Sequence, residues 1–312
     1  MVQQYNLLLF PRREVKLHSR MHTSSGRQQS APIHRRIVRH RPLGAPLHKF
    51  KKNSQVIDAM KDALFAHQKL HDEAGILHRD ISPSHILIGE RGGGVLVDWD
   101  DDPFALHDRS IQADETSEEL SPRIGTMQFL SPNLITEPLK FPKPDRADNH
   151  ESFFHVLRWL SLVWGEHPRT GFWVTARVLK MYEQTICDYI WCSYHTAAYK
   201  KDDIIDRFMK YDSGYRRLAS KPIRDLLVDL EAVVVSRYDD DESRPTLDEL
   251  QIGKKRYESK MDMLMDSEWM IERFAKAARE LSIAGDTARV NRYIEVSVLN
   301  GVEGMAYYLD EE

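Results

Sequence analysis

The chain is 312 residues long, with 41 % hydrophobic and 29 % charged residues, enough apolar material for one large domain, or one medium domain with extensions. No run reaches the roughly 18 apolar residues of a transmembrane helix, and Leu7–Phe10 is too short for a secretory core segment. Cys187 and Cys192, the only two cysteines, exclude a disulfide framework and lack zinc spacing, so buried thiols in a reducing compartment are expected.

The net charge of −4 is unevenly spread. Residues 1–52 hold twelve Lys or Arg against one acid, Glu14, a formal +11, which leaves −15 for the rest. Such an arm attracts nucleic acid, an anionic surface or an acidic partner. Its Arg-rich, acid-poor composition also allows a mitochondrial transit peptide, and the plain alternative is a solvated tail lying on an acidic body. Residues 1–33 lack periodicity and are expected to be a disordered basic arm with at most one short strand near Asn6–Phe10. Arg35–His40 reads as a strand, broken by the two prolines and glycine of Arg41–Pro46.

Gln55 to Gly75 reads as an amphipathic helix, with Val56, Met60 and Leu64 on one face, Asn53 or Ser54 as its cap, and Gly75 as its left-handed end. Ile86–Ile88 and Val95–Val97 read as two short strands around the glycine-rich turn 89–94. Ser152–Trp164 is apolar nearly all round, which places it at the centre of a domain. Ile223–Val235 is a further helix, and Ser267–Ser282 a peripheral amphipathic one. The tryptophans are expected in packing roles, and the acidic runs 98–102 and 239–242 as solvated turns.

Four patterns then follow in order: Leu77-His78-Arg79-Asp80-Ile81-Ser82, Val97-Asp98-Trp99-Asp100, Gly125-Thr126-Met127-Gln128-Phe129-Leu130-Ser131-Pro132, and Asp148-Asn149-His150-Glu151-Ser152-Phe153-Phe154. Each alone is weak. In this order, with two strands between Asp80 and Asp98, they resemble the catalytic loop, metal-binding loop, activation segment and central helix of protein kinases. Ile76-Leu77-His78-Arg79-Asp80-Ile81-Ser82, the Asp-Trp-Asp triplet and the Glu-Ser-Phe-Phe helix are most similar to the fungal-type protein kinase family, as is Leu43–Phe50, which resembles a hinge. The resemblance runs from about Ile37 to Leu250.

The resemblance implies an α+β, mostly helical fold: a kinase C-lobe over 53–255, a remnant of the N-lobe and hinge over 34–52, and a C-terminal helical extension over 256–312. It implies an enzyme that uses ATP and Mg2+ to phosphorylate Ser or Thr of a protein substrate. Asp80 would orient the hydroxyl and take its proton. Asp98, with His85 as the second ligand, would hold the metal and nucleotide. Arg79 would pair with a phosphate or acid of the activation segment, Thr126 would hydrogen-bond near Asp80, and His78 would pack structurally. A cytoplasmic or nuclear location goes with this reading.

The chain departs from the pattern at several points. No Gly-x-Gly-x-x-Gly and no Val-Ala-Ile-Lys strand precede the hinge, so a truncated small lobe is expected. His85 stands where the family has Asn, and imidazole suits zinc better than magnesium. Asn133 replaces the glutamate that pairs with the late arginine, here Arg244, and Asn149 the central-helix aspartate. These departures make an inactive pseudokinase or scaffold the alternative to an enzyme.

Overall fold

A computed structural model describes residues 43–90, 92–99, 126, 128–136, 144–168, 171–178, 182, 187–188, 193–194, 218–238, 245–286, 288 and 290. Residues 41–312 form one compact unit. The expected strand at Arg35–His40, the basic arm and Arg244 lie outside the described residues.

Strand β1 (Gly44–Pro46) pairs antiparallel with β2 (Ile86–Gly89), and β2 with β3 (Gly94–Leu96), opposing Ala45 to Ile88 and Leu87 to Val95. The sequence reading makes 41–46 a break. Gly44–Pro46 forms a strand all the same, because β1 is an edge, where proline costs no ladder hydrogen bond. A 3-10 turn, Leu47–Lys49, leads from it toward helix α1 (Asn53–Ala74).

Helix α1 buries Val56, Ile57, Met60, Ala63 and Leu64, as its period requires. It begins two residues earlier than expected. Gln55 Oε1 accepts the Lys51 and Lys52 N–H groups at 2.8 and 3.2 Å, while Ser54 donates its N–H and hydroxyl to Asp286 instead of acting as a cap. Gly75 ends the helix at φ 70°, a left-handed conformation that glycine adopts without steric cost. Gly94 lets β3 approach α1: a Cβ there would sit 2.1 Å from the Ala59 carbonyl oxygen.

Helix α2 (Pro132–Thr136) precedes the central helix α3 (Arg146–Trp164). Helix α3 begins six residues before the expected Ser152, because Asp145 and Asp148 cap it reciprocally, each accepting the other's N–H at 2.9 Å. Its apolar and polar residues alike are buried, among them Phe153, Phe154, Glu151, His155 and Arg158. Helix α4 (Gly171–Val178) and the two-stranded pair β4 (Cys187–Asp188) and β5 (Ser193–Tyr194) follow.

Helix α5 (Lys221–Val235) carries Pro222 in its first turn, where the missing N–H is harmless. Short helices α6 (Leu247–Leu250) and α7 (Lys260–Met265) are capped by Thr246 and Ser259. Helix α8 (Ser267–Ala284) packs on α1 and α5. It is expected at the periphery, yet Trp269, Met270 and Phe274 are fully buried and share one apolar core with α1, α3 and α5. The fold is α+β and mostly helical around a small sheet. No helix among the described residues is long and apolar enough to cross a membrane.

Candidate active site

The candidate site is built on the loop between α1 and β2 and on the residues that leave β3. Arg79 and Asp98 are the only described non-glycine residues in the left-handed region, at φ 66° and 64°. Such backbone costs on the order of 1–3 kcal/mol and gathers at functional sites.

His78 ties the two segments together. Its Nε2 donates to the Val97 carbonyl at 2.7 Å, and its Nδ1 accepts the Asp80 N–H at 3.3 Å. Burial lowers its pKa. Trp99 crosses His78 edge-on with centroids 4.7 Å apart, and its Nε1 donates to the Leu96 carbonyl. Beneath Trp99 lies His67, fully buried with neither ring nitrogen hydrogen-bonded. Burial holds it well below the usual histidine range.

Asp80 is held from one side. The Thr126 N–H and hydroxyl both donate to its Oδ1 at 2.6 Å. His85 follows on the same loop. Its Nδ1 lies 2.8 Å from the Asp80 carbonyl oxygen and 3.3 Å from Asp80 Oδ2, while its Nε2 lies 3.3 Å from Asp98 Oδ2. One imidazole thus bridges the two carboxylates. Asp80 and His85 are 17 % exposed and Asp98 is 61 % exposed, so Asp98 forms the open lip. The structure therefore brings together five of the six sequence-read site residues at side-chain level: His78, Asp80, His85, Asp98 and Thr126. Arg79 joins them through its backbone, and the segment 100–125 expected to face its guanidinium lies outside the described residues.

The support beneath the loop comes from α3. Asn149 Oδ1 accepts the Arg79 N–H at 2.8 Å, and its amide donates to the Asp145 carbonyl at 3.0 Å. Asn149 thus fulfils the loop contact at the position where the family pattern has aspartate, because that contact needs one acceptor oxygen and no charge. Asp148 Oδ1 accepts the Ser131 hydroxyl at 2.7 Å and Arg237 Nη1 at 2.9 Å. Arg237 also donates to Glu151 at 2.8 Å, as does the Tyr238 hydroxyl. Burial raises Glu151 to about 7 against the opposing pull of Arg237. Asn133, at the glutamate position, is exposed on α2.

Arg237 and Tyr238 are absent from the sequence reading, and Glu151 enters it only as part of the central-helix pattern. Their signal was present: acids at 148 and 151 in a helix apolar all round need a buried cation, and Arg237 follows the next apolar helix directly.

The resemblance implies magnesium on Asp98 and His85. The Asp98 carboxylate, exposed and hard, fits that ion. His85 does not, because it offers an imidazole nitrogen where magnesium takes oxygen. Among the described residues no group of three or more His, Cys, Asp or Glu converges to hold a metal.

No curated protein matches the chain. The family model described as fungal protein kinase matches residues 3–161. That span takes in the residues read from sequence as a basic arm and ends within α3. With half of its length so matched and Asp80 and Asp98 facing one another across His85, the chain belongs to the fungal protein kinase family.

Proposed function

We propose that the chain is a protein phosphotransferase that moves the γ-phosphate of ATP to a Ser or Thr hydroxyl. The observation that carries this reading is the fixed Asp80 carboxylate, its Oδ1 taken by two donors from Thr126. Asp80 accepts the proton of the substrate hydroxyl as that oxygen bonds the γ-phosphorus and the bond to the β-phosphate oxygen breaks, releasing ADP. His78 and Trp99 keep the two loops in register, and Asn149 holds the backbone of Arg79. Kinases of this family generally use ATP and Mg2+. Loss of one charge-stabilising group from such a site costs about 3–4 kcal/mol.

A second reading, a catalytically inactive scaffold that binds a partner protein, is favoured by His85, which engages both carboxylates at once. In either reading 53–255 is the working lobe, and the basic residues 1–52 are a surface for nucleic acid or an anionic partner whose binding weakens with salt. Thermal denaturation with ATP and Mg2+ or Mn2+ separates the two, since a ligand at 100 times its Kd adds about 2.7 kcal/mol. Transfer of labelled phosphate to a protein, lost on Asp80→Asn, supports the enzyme. No thermal shift at millimolar ATP leaves the scaffold.

A further inference from the structure

A second group of histidines surrounds His67 on α1. His67 is fully buried, and neither of its ring nitrogens has a hydrogen-bond partner. Its ring stacks on Trp99 with centroids 6.3 Å apart and planes 23° apart, and it meets His150 and Phe153 of α3 edge-on at 5.7 and 6.2 Å. The groups that act on it from each neighbouring element are bases: His71 on α1, His78 on the Asp80 loop, His150 and Arg146 on α3. The acids of the neighbourhood are engaged elsewhere. Asp72 pairs with Arg146, Asp80 and Asp98 act on His78, and Asp266 acts on His150. A proton on His67 would put a charge among bases in an apolar slot, with no acceptor to hold it. His150 is tied through both nitrogens, to the Leu264 carbonyl at 2.5 Å and the Ser267 hydroxyl at 2.9 Å. His67 is therefore the one of this pair that can turn away without breaking a hydrogen bond.

We propose that His67 is an acid-sensitive latch on the Asp98 turn: on taking a proton its ring leaves the slot, and Trp99, which it backs, releases that turn. Trp99 follows Asp98 directly, and Asp98 holds a left-handed backbone, φ 64°, of a kind that persists only where its surroundings fix it. Burial and the neighbouring bases keep His67 below the ordinary 6.5 in the slot, so the open form binds the proton more readily. Acid therefore favours opening as pH falls below 6.5. As regulation of the Asp98 loop this rests on the proposed function, but its test uses no nucleotide, so the two fail separately.

The full chain is labelled with 15N at its six tryptophans, and the indole N–H signals are followed by NMR as pH is lowered. The Trp99 signal, whose N–H donates to the Leu96 carbonyl, is identified by its loss in Trp99→Phe. We expect it to shift and fade below pH 6.5 in the wild type while the signals of buried Trp164 and Trp269 stay. In His67→Phe, which keeps a ring against Trp99 and cannot titrate, the change should move to lower pH, toward the value of about 4 that burial sets for His150. His67→Leu should do the same. An equal midpoint in the wild type and His67→Phe overturns the proposal. Should neither variant fold by circular dichroism, the wild type decides: a Trp99 signal lost only together with those of Trp164 and Trp269 reports global unfolding and overturns it as well.

Discussion

Replacing Arg237 with methionine tests the buried network under the activation segment. Its side chain is 9 % exposed, and its partners Asp148 and Glu151 are 2 % and 0 % exposed. Without the guanidinium, Asp148 keeps only the Ser131 hydroxyl and the Asp145 N–H. Removing one partner of a buried ion pair costs about 3–5 kcal/mol. Part of that cost is avoided, because Glu151 already stands at about 7 and takes a proton near neutrality. We therefore expect a loss of about 3 kcal/mol at neutral pH, at roughly 2–4 °C in Tm for each kcal/mol.

The pH dependence follows from the same group. The folded value, about 7, lies above the ordinary 4.5, so the folded state binds the extra proton in between. The stability contributed by Glu151 is fully present below about pH 4.5 and is lost as pH rises through 7, a change of about 3 kcal/mol. Arg237 limits that loss, and without it the loss continues to higher pH. The penalty of Arg237→Met should then be smaller near pH 5 than near pH 8 in urea denaturation, and Glu151→Gln in the same chain should recover part of it. A penalty under about 1 kcal/mol, or one equal at both pH values, would refute the reasoning.

Thr126→Val removes a hydroxyl donor to a carboxylate, worth about 1.5–3 kcal/mol; in the phosphotransfer assay it should lower kcat at least about tenfold and leave ATP affinity unchanged. Asn149→Ala leaves the Arg79 N–H without its acceptor and should cost about 1–3 kcal/mol on denaturation, while Asn149→Asp retains most of the stability. His67→Leu removes two buried nitrogens without hydrogen-bond partners and should raise the melting temperature by the equivalent of about 1 kcal/mol. Gly94→Ala pushes a methyl onto the Ala59 carbonyl and should destabilise by about 1–3 kcal/mol, read as a lower urea midpoint.

Local chemistry was legible in the sequence where it acts over a few residues. The period of α1 and its stop at Gly75 depend on neighbours three to five positions away, and both were read. The start of α1 was misplaced because Ser54 is held by Asp286, 232 residues on. Strand β1 was missed because its partner Ile86–Gly89 lies across the whole of α1, and the prolines in the segment argue locally for a break. The meeting of His78, Asp80, Asp98 and Thr126 could be read only from the order of their motifs. That His85 touches both carboxylates could not, since it depends on the left-handed backbone of Asp98. Arg237 escaped because its acids are 86 and 89 residues away.

The contact between α1 and α8 sets an order on synthesis. The ribosome delivers the apolar face of α1 more than two hundred residues before the helix that covers it. Until 267–286 emerges, the side of α1 that packs on α8 has no lid, and the nascent chain is a client for holding chaperones. A stop codon just upstream of Trp269 would thus silence the protein through aggregation or proteolysis, although every residue of the Asp80 loop would still have been translated.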